Sequence, residues 1–359
     1  GSDTGGITAT VLAIGPIFGR LAVRAARARR DEGLTECTLR SKDDAPGRDR
    51  SLFPMWSLGL RGKGETADEV AGAATALREA MVTIHPFAGP PVVDTCGTGG
   101  GGISTFNLST AAGFVAAGAG ARVAKHGNRS YTSKCGSADV LEAMGVDIDI
   151  GAEQAAALLD RAGMVFLFAP NYHPAMRHVG PTRKELGVAT IMNLLGPLAN
   201  PAGVRRQVVG VADRARGPLM AEALARLGAE HALVVHGEVG MDEISPVGVT
   251  AVWEVREGNV TTWTLDPGDH GLDWPRVADL AGGEPSDNAA RIEGLLLGSA
   301  TRGLGGLPDE GARRALVLNA AAAIYVAGLA DNFGSAAAVA ECALKDGKAA
   351  AVLEKLRKG

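Results

Sequence analysis

Paired cysteines are missing from this chain. Its four cysteines, Cys37, Cys96, Cys135 and Cys342, are scattered with no C-x-x-C spacing, so they read as neither a zinc-ligand set nor a disulfide framework. A reduced, cytoplasmic setting is the expectation. An unbroken apolar run is missing as well. The stretch Ile7 to Ala22 is interrupted by Gly15, Pro16 and Gly19, and its arginines follow it rather than precede it. Neither a signal peptide nor a membrane span is expected from it. Positive charge is not in excess, since 36 Lys and Arg face 40 Asp and Glu for a formal net charge of −4. A protein that works mainly on a nucleic-acid backbone carries the opposite balance. No Ser-His-Asp or Cys-His constellation is evident from spacing, so nucleophilic catalysis by the protein is not expected.

Glycine, by contrast, is abundant. Fifty glycines are about twice the usual share, while the apolar and charged fractions are ordinary for a soluble globular protein. Much of the glycine sits at sharp turns between apolar runs. The length accommodates one large domain and a smaller one.

The first ~60 residues are hard to read. Arg20 to Arg30 is basic and Ala-rich, compatible with a solvated helix, and Thr38 to Ser51 is polar without a clear period. A helical pattern runs from Met55 to Met81, with Thr66 as N-cap and Glu69 as its capping-box partner. Beyond the Pro86 to Pro91 linker the rhythm becomes strand, glycine turn, helix. Strands are expected at 91–94, 121–125, 164–168, 208–211 and 231–235, with a hairpin at 249–255 and 259–265. Helices are expected at 110–119, 138–144, 154–162 and along the Ala-rich tail from Asp309. Such alternation predicts an α/β fold: a large, mainly parallel sheet flanked by helices, behind a small N-terminal helical domain. The boundaries read as 1–88 for the small domain, completed by a later helical segment near 174–205, and 89–359 for the large one.

One loop stands out. Gly97-Thr98-Gly99-Gly100-Gly101-Gly102 follows a strand and precedes a helix. Exposed backbone N–H groups and a helix N-terminus behind them suit a phosphate, although a tight turn with ordinary caps reads equally well from the loop alone. The run also satisfies G-x-G-x-x-G. A dinucleotide site requires an acidic residue about 20 positions on, yet no Asp or Glu occurs from Ile103 to Ala138. Lys125, His126, Arg129 and Lys134 stand there instead, a pattern that favours a highly phosphorylated ligand.

The ordered blocks Gly97-Thr98-Gly99-Gly100, Asn107-Leu108-Ser109-Thr110, Lys125-His126-Gly127-Asn128-Arg129 and Gly136-Ser137-Ala138-Asp139 resemble the motifs of anthranilate phosphoribosyltransferases. Two further blocks extend the likeness: His173-Pro174-Ala175-Met176-Arg177 with Arg183-Lys184-Glu185-Leu186-Gly187, and Asn193 to Leu198 with Asn200-Pro201. The resemblance runs from about Gly62 to the C-terminus. It implies transfer of a phosphoribosyl group from phosphoribosyl pyrophosphate to the anthranilate amine, with Mg2+, as a step of tryptophan biosynthesis.

Carried over by position, the resemblance implies that Gly97, Thr98, Gly99, Gly100, Asn107, Ser109, Thr110, Lys125 and Ser137 bind phosphoribosyl pyrophosphate. For Ser137 a plain helix N-cap is the alternative role. Gly97, His126, Asn128, His173 and Arg183 are implied at anthranilate, with Arg183 matched to its carboxylate. Ser109, Asp242 and Glu243 are implied at magnesium. Two adjacent carboxylates in a loop usually face solvent, but the run Gly240 to Ser245 resembles the metal-binding segment. No general acid or base is implied; Lys125 and Asn128 position the transition state. The family's small domain also makes homodimer contacts.

Two departures are visible. The family pattern continues Gly-Thr-Gly-Gly-Asp-Gly, whereas Gly101 stands where Asp is expected. Residues 1 to about 55 lack the amphipathic period of the usual dimer-forming helices. Two alternatives are a pyrimidine nucleoside phosphorylase-like enzyme and a phosphoribosyltransferase-like protein that binds nucleic acid. The first does not explain Asp242-Glu243 together with Arg183, and the net charge of −4 disfavours the second.

Overall fold

The computed structural model describes residues 52–130, 134–298 and 309–359. The basic stretch Arg20–Arg30, the polar run Thr38–Ser51 and Cys37 lie outside them. The described residues divide into two compact units, 52–81 with 173–199, and those of 82–172 with those of 200–359.

In the smaller unit the described elements are helical: Leu52–Lys63, Ala67–Glu79, the short 3-10 turn Pro174–His178, Gly180–Leu186 and Met192–Leu198. Thr66 caps Ala67–Glu79 by the expected reciprocal box, its hydroxyl accepting from Glu69 N–H while the Glu69 carboxylate accepts from Thr66 N–H. Small residues on the buried face of that helix (Ala67, Ala71, Ala74) admit close packing against Met192–Leu198, and Arg78 Nε donates to Leu198 O at 2.6 Å.

The larger unit is built on one seven-stranded sheet. Its strands are β1 (Val92–Gly97), β2 (Arg122–Gly127), β3 (Met164–Phe168), β4 (Arg206–Gly210), β5 (His231–Gly237), β6 (Thr250–Arg256) and β7 (Asn259–Leu265). The spatial order is β3-β2-β1-β4-β5-β6-β7. The first five strands pair in parallel, and β6 and β7 add an antiparallel hairpin turning through Glu257-Gly258. Every residue of β5 is buried, as are four of five in β3. Side chains alternate faces along a strand, so helices must cover both sides there. The exposed β7 forms one edge of the sheet.

Individual bounds differ from the sequence expectation by a few residues. The most consequential shift is at β1, which continues through Thr95, Cys96 and Gly97, so the glycine loop starts inside the sheet. The chain runs outward from β1 to β2 and β3, then returns to place β4 on the other side of β1. That reversal makes a crevice at the carboxyl ends of β1 and β4, where open α/β sheets bind ligands.

Candidate active site

The glycine loop leaves β1 directly over that crevice. Thr98 N–H donates to Gly210 O at the end of β4 (2.9 Å), and Ala212 N–H returns a bond to Thr98 Oγ1 (3.2 Å). Gly99 and Gly100 follow with φ of 65° and 81°, backbone that only glycine adopts without strain. This turn carries Gly99, Gly100 and Gly101 out of the sheet without folding them into a helix.

Asp242 meets the loop from β5's side. Its Oδ2 accepts from Gly99 N–H at 3.0 Å, and its backbone passes so close to β4 that a Cβ on Gly210 would lie 1.6 Å from Asp242 O. Glu243 is buried and turns the other way, its Oε2 accepting from Thr105 Oγ1 at 2.8 Å, with Ser109 N–H a second donor. Burial raises the Asp242 carboxyl above its ordinary range. Burial, and then the Asp242 charge, push Glu243 up to about 8. Two adjacent carboxyls, both held up mainly by burial, make a place where a cation would be stabilising.

Lys125, on β2 and 1% exposed, points its ammonium into this region. Nζ donates to Thr95 O and to Ser109 Oγ (3.2 Å for the latter). Burial lowers its pKa, against the pull of Asp94, Cys96 and Glu243. Asp94 was not anticipated as part of this arrangement. It is fully buried on β1, where Oδ1 accepts from His126 N–H at 3.2 Å and Oδ2 from Asn200 Nδ2 at 2.8 Å. The same Asn200 nitrogen donates to Ala124 O at 2.8 Å. One carboxylate therefore ties β2 to the Asn200 turn and balances Lys125. A buried Asp before a glycine loop was the available signal, although its partners are far away in sequence.

Asn107 closes the loop as N-cap of Leu108–Gly118, in the left-handed conformation and with no capping bond from its own side chain. Thr110 is fully buried on the inner side of that helix, and its N–H donates to Asn107 O at 3.0 Å. Ser137 is half-buried as the first residue of Ser137–Ala143; Gly136, not Ser137, is the N-cap. Asn128 follows β2 with its Oδ1 accepting from Arg129 N–H at 2.8 Å, and His126 is buried on that strand.

The cations nearby are less available than their spacing implied. Arg129 binds Asp139 and Glu142 (2.9 and 2.8 Å) and lies over the Phe168 ring, while Lys134 pairs with Glu284 at 3.5 Å. The carboxylates missing from 103–138 are supplied by later segments. His173 and Arg183 belong to the smaller unit. Arg183 is half-buried in Gly180–Leu186; His173 is buried, and desolvation pushes its pKa down to about 4.

The donor set also bears on a metal. Among the described residues no group of three His, Cys, Asp or Glu side chains could hold an ion. Magnesium ordinarily takes one or two carboxylates and fills its shell with water and substrate oxygens. Asp242 and Glu243, adjacent, largely buried and oxygen-only, fit that kind of ion.

The sequence of residues 89–350 matches the model of the glycosyl transferase family, a/b domain. Anthranilate phosphoribosyltransferase 2 of Streptomyces coelicolor is 49% identical over 300 residues, covering 84% of this chain and 87% of that protein. This chain belongs to the anthranilate phosphoribosyltransferase family. Solved members share its fold. The enzyme of Thermus thermophilus superposes with a TM-score of 0.81 at 38% identity, covering 96% of both chains. That of Saccharomyces cerevisiae, in complex with PRPP and Mg, gives 0.79 at 28% identity, covering 97% of this chain and 93% of the yeast one. Membership accounts for the mixed α/β sheet and for the order of the motifs along it.

Proposed function

We propose that this protein transfers the phosphoribosyl group of phosphoribosyl pyrophosphate to the amine of anthranilate, forming N-(5-phosphoribosyl)anthranilate and releasing pyrophosphate. The observation that carries this reading is the joint between the glycine loop and the carboxyl pair. Gly99 N–H holds Asp242, while Thr105 and Ser109 hold Glu243, so anion donors and cation acceptors converge on one crevice.

In this reading the glycine loop Gly97 to Gly100 and the start of Leu108–Gly118 line the place of the phosphate oxygens, with Thr98, Asn107, Ser109, Thr110 and Ser137 shaping that cradle. Asp242, Glu243 and Ser109 would hold Mg2+, which when bound neutralises the departing pyrophosphate. Lys125 adds a fixed positive charge behind Ser109, and Asn128 and His126 border the ribose and the acceptor ring. The bond from ribose C1 to the pyrophosphate oxygen breaks with its electron pair on oxygen. C1 gains oxocarbenium character, and the anthranilate nitrogen closes a new bond to it. An aromatic amine is already a neutral nucleophile; its proton leaves after bond formation, and no strong base is required. Arg183 supplies a guanidinium fork for the anthranilate carboxylate. His173, held neutral by burial, offers an uncharged wall to the ring. The working form in this reading is a cytoplasmic homodimer, which sedimentation at micromolar concentration tests.

Loss of anthranilate fluorescence on adding phosphoribosyl pyrophosphate and magnesium tests the reaction. Turnover is expected, with Arg183→Ala raising the anthranilate KM about tenfold or more through loss of a charge-assisted pair. Tight binding of phosphoribosyl pyrophosphate without turnover would mean that a different acceptor is used. An unchanged anthranilate KM in Arg183→Ala would remove that arginine from the acceptor site.

A further inference from the structure

The turn that feeds the Leu108–Gly118 helix is held from behind by a segment that none of the motif blocks includes. Asn107 has φ 63° and ψ 45°, a costly conformation for a residue with a Cβ. Its side-chain amide is occupied within the protein. Nδ2 donates to Cys135 O at 3.0 Å, and Oδ1 accepts from Asn288 Nδ2 at 2.8 Å. Asn288 is 2% exposed. Its own Oδ1 accepts from Gly283 N–H at 2.7 Å, and its side chain also reaches the Cys135 thiol.

Asn288 is itself firmly held. It lies on the helix Pro285–Leu296 one turn before Arg291, on the same buried face. Arg291 makes two bonds to Asp309 (2.5 and 2.6 Å) and one to Ala281 O (2.9 Å), and its guanidinium covers the Phe106 ring at 4.4 Å. Gly282 N–H donates to Ser104 O at 2.9 Å, and Thr105 bridges to Ala281. The stretch Ser104–Asn107 is thus backed along its whole length by Ala281–Arg291.

Hydrophobic packing alone does not require a buried amide-to-amide bond, since replacing both partners by apolar groups of the same shape costs little. What the bond achieves is geometric. By holding the Asn107 amide it orients the separate Asn107 Nδ2–Cys135 O bond, which joins the Asn107 turn, just before Ser109, to the Cys135-Gly136 loop, just before Ser137. Both loops contribute to the proposed phosphate cradle.

We propose that Asn288 is a positioning residue for phosphoribosyl pyrophosphate: by fixing the Asn107 amide it sets the left-handed turn that aims Ser109 and the first helical N–H groups, and it locks that turn in register with the Ser137 loop. The proposal rests on assigning the Asn107 turn to the donor substrate.

The test compares Asn288→Ala, Asn288→Asp, Asn107→Ala and the double variant Asn107→Ala/Asn288→Ala. Thermal midpoints, calorimetric binding of phosphoribosyl pyrophosphate with magnesium, and both KM values are measured. Each Asn288 variant is expected to fold and to raise the donor KM about tenfold, the effect of losing roughly one well-placed buried hydrogen bond. The anthranilate KM should move less than about twofold. The Asp variant, which sets a carboxylate oxygen against Asn107 Oδ1, should be at least as damaging as Ala. The double variant should bind the donor no worse than Asn107→Ala alone, because Asn288 acts through Asn107. An equal rise in both KM values, a fall in kcat alone, or additive effects in the double variant would overturn the proposal. So would failure of both Asn288 variants to fold, which would make Asn288 a folding determinant. If Asn107→Ala leaves the donor KM unchanged, the assignment of the turn itself fails. If it raises the donor KM while the Asn288 variants do not, only the positioning role falls.

Discussion

Two glutamates at opposite ends of the same strands have opposite electrostatics. Glu254, opposite Leu233 near the start of β5, faces three donors: His231 Nε2 at 2.8 Å, Trp263 Nε1 at 2.9 Å and Tyr325 Oη at 3.0 Å. The His231 bond and the other two hold its carboxyl below the ordinary range in spite of partial burial. Glu243 lies beyond the other end of β5. Among the described residues the Thr105 hydroxyl and Ser109 N–H are its donors, and the Asp242 carboxyl stands beside it; burial and that neighbour hold it up at about 8. The first carboxylate is satisfied by the fold and stabilises it. The second is held up by burial beside a like carboxyl at the crevice, as expected of a group whose partner arrives with a ligand.

The contrast can be broken most sharply at Glu243. Glu243→Gln should lower kcat/KM by about 10²-fold or more, the scale of losing one electrostatic contact to the transition state. Its thermal midpoint in metal-free buffer at neutral pH should not fall, because a carboxyl held up at about 8 is already largely protonated there and the amide keeps its shape. A variant that keeps full activity would exclude Glu243 from the chemistry.

Glu254→Gln should behave in the reverse way, costing about 1–3 kcal/mol of stability by urea unfolding with the kinetic constants unchanged. The pH dependence follows from the depressed pKa. Its stabilisation is complete above the ordinary glutamate value of 4.5 and is lost as pH falls through the lower folded-state value, where the unfolded chain binds the proton first. Wild type should therefore lose stability below about pH 4.5 more steeply than Glu254→Gln. Parallel acid limbs for the two proteins would show that the three donors do not set its charge.

The smallest effect is expected at Gly101, the position that departs from the expected Gly-Thr-Gly-Gly-Asp-Gly pattern. A Cβ there would lie 3.3 Å from Gly240 O and 3.5 Å from Asp242 Oδ1, so Gly101→Asp sets a third carboxylate against the pair. The magnesium concentration for half-maximal rate should shift by about three- to tenfold, the range of one added partly solvated charge interaction. A superimposable magnesium profile would count against Gly101 as a tuning position.

Much of this was legible from short-range chemistry. The Thr66–Glu69 box and the hairpin at Glu257-Gly258 follow from neighbouring residue types and appear as expected. The strand-loop-helix order around Gly97–Gly102 follows from apolar runs and glycines, and the structure differs there mainly in carrying β1 through to Gly97. Other features were not legible because their partners are distant. Arg129 and Lys134 read as free cations until Asp139, Glu142 and Glu284 come beside them. Asp94 has no visible role until Asn200 and β2 close on it, and Asn288 belongs to no motif until it reaches back to Asn107.

The sequence by itself determined the alternation of elements, the glycine loop between a strand and a helix, and the blocks that identify the family. Each depends on backbone preference or residue order over a few positions. Only the tertiary structure decided that Asp242 would meet Gly99 and that Lys125 would be committed to Ser109. It also decided that one glutamate would be held down while another was held up. Those outcomes depend on which strand ends lie side by side in the order β3-β2-β1-β4-β5-β6-β7, and on how much water burial removes from each charge. Neither quantity is carried by any short stretch of chain.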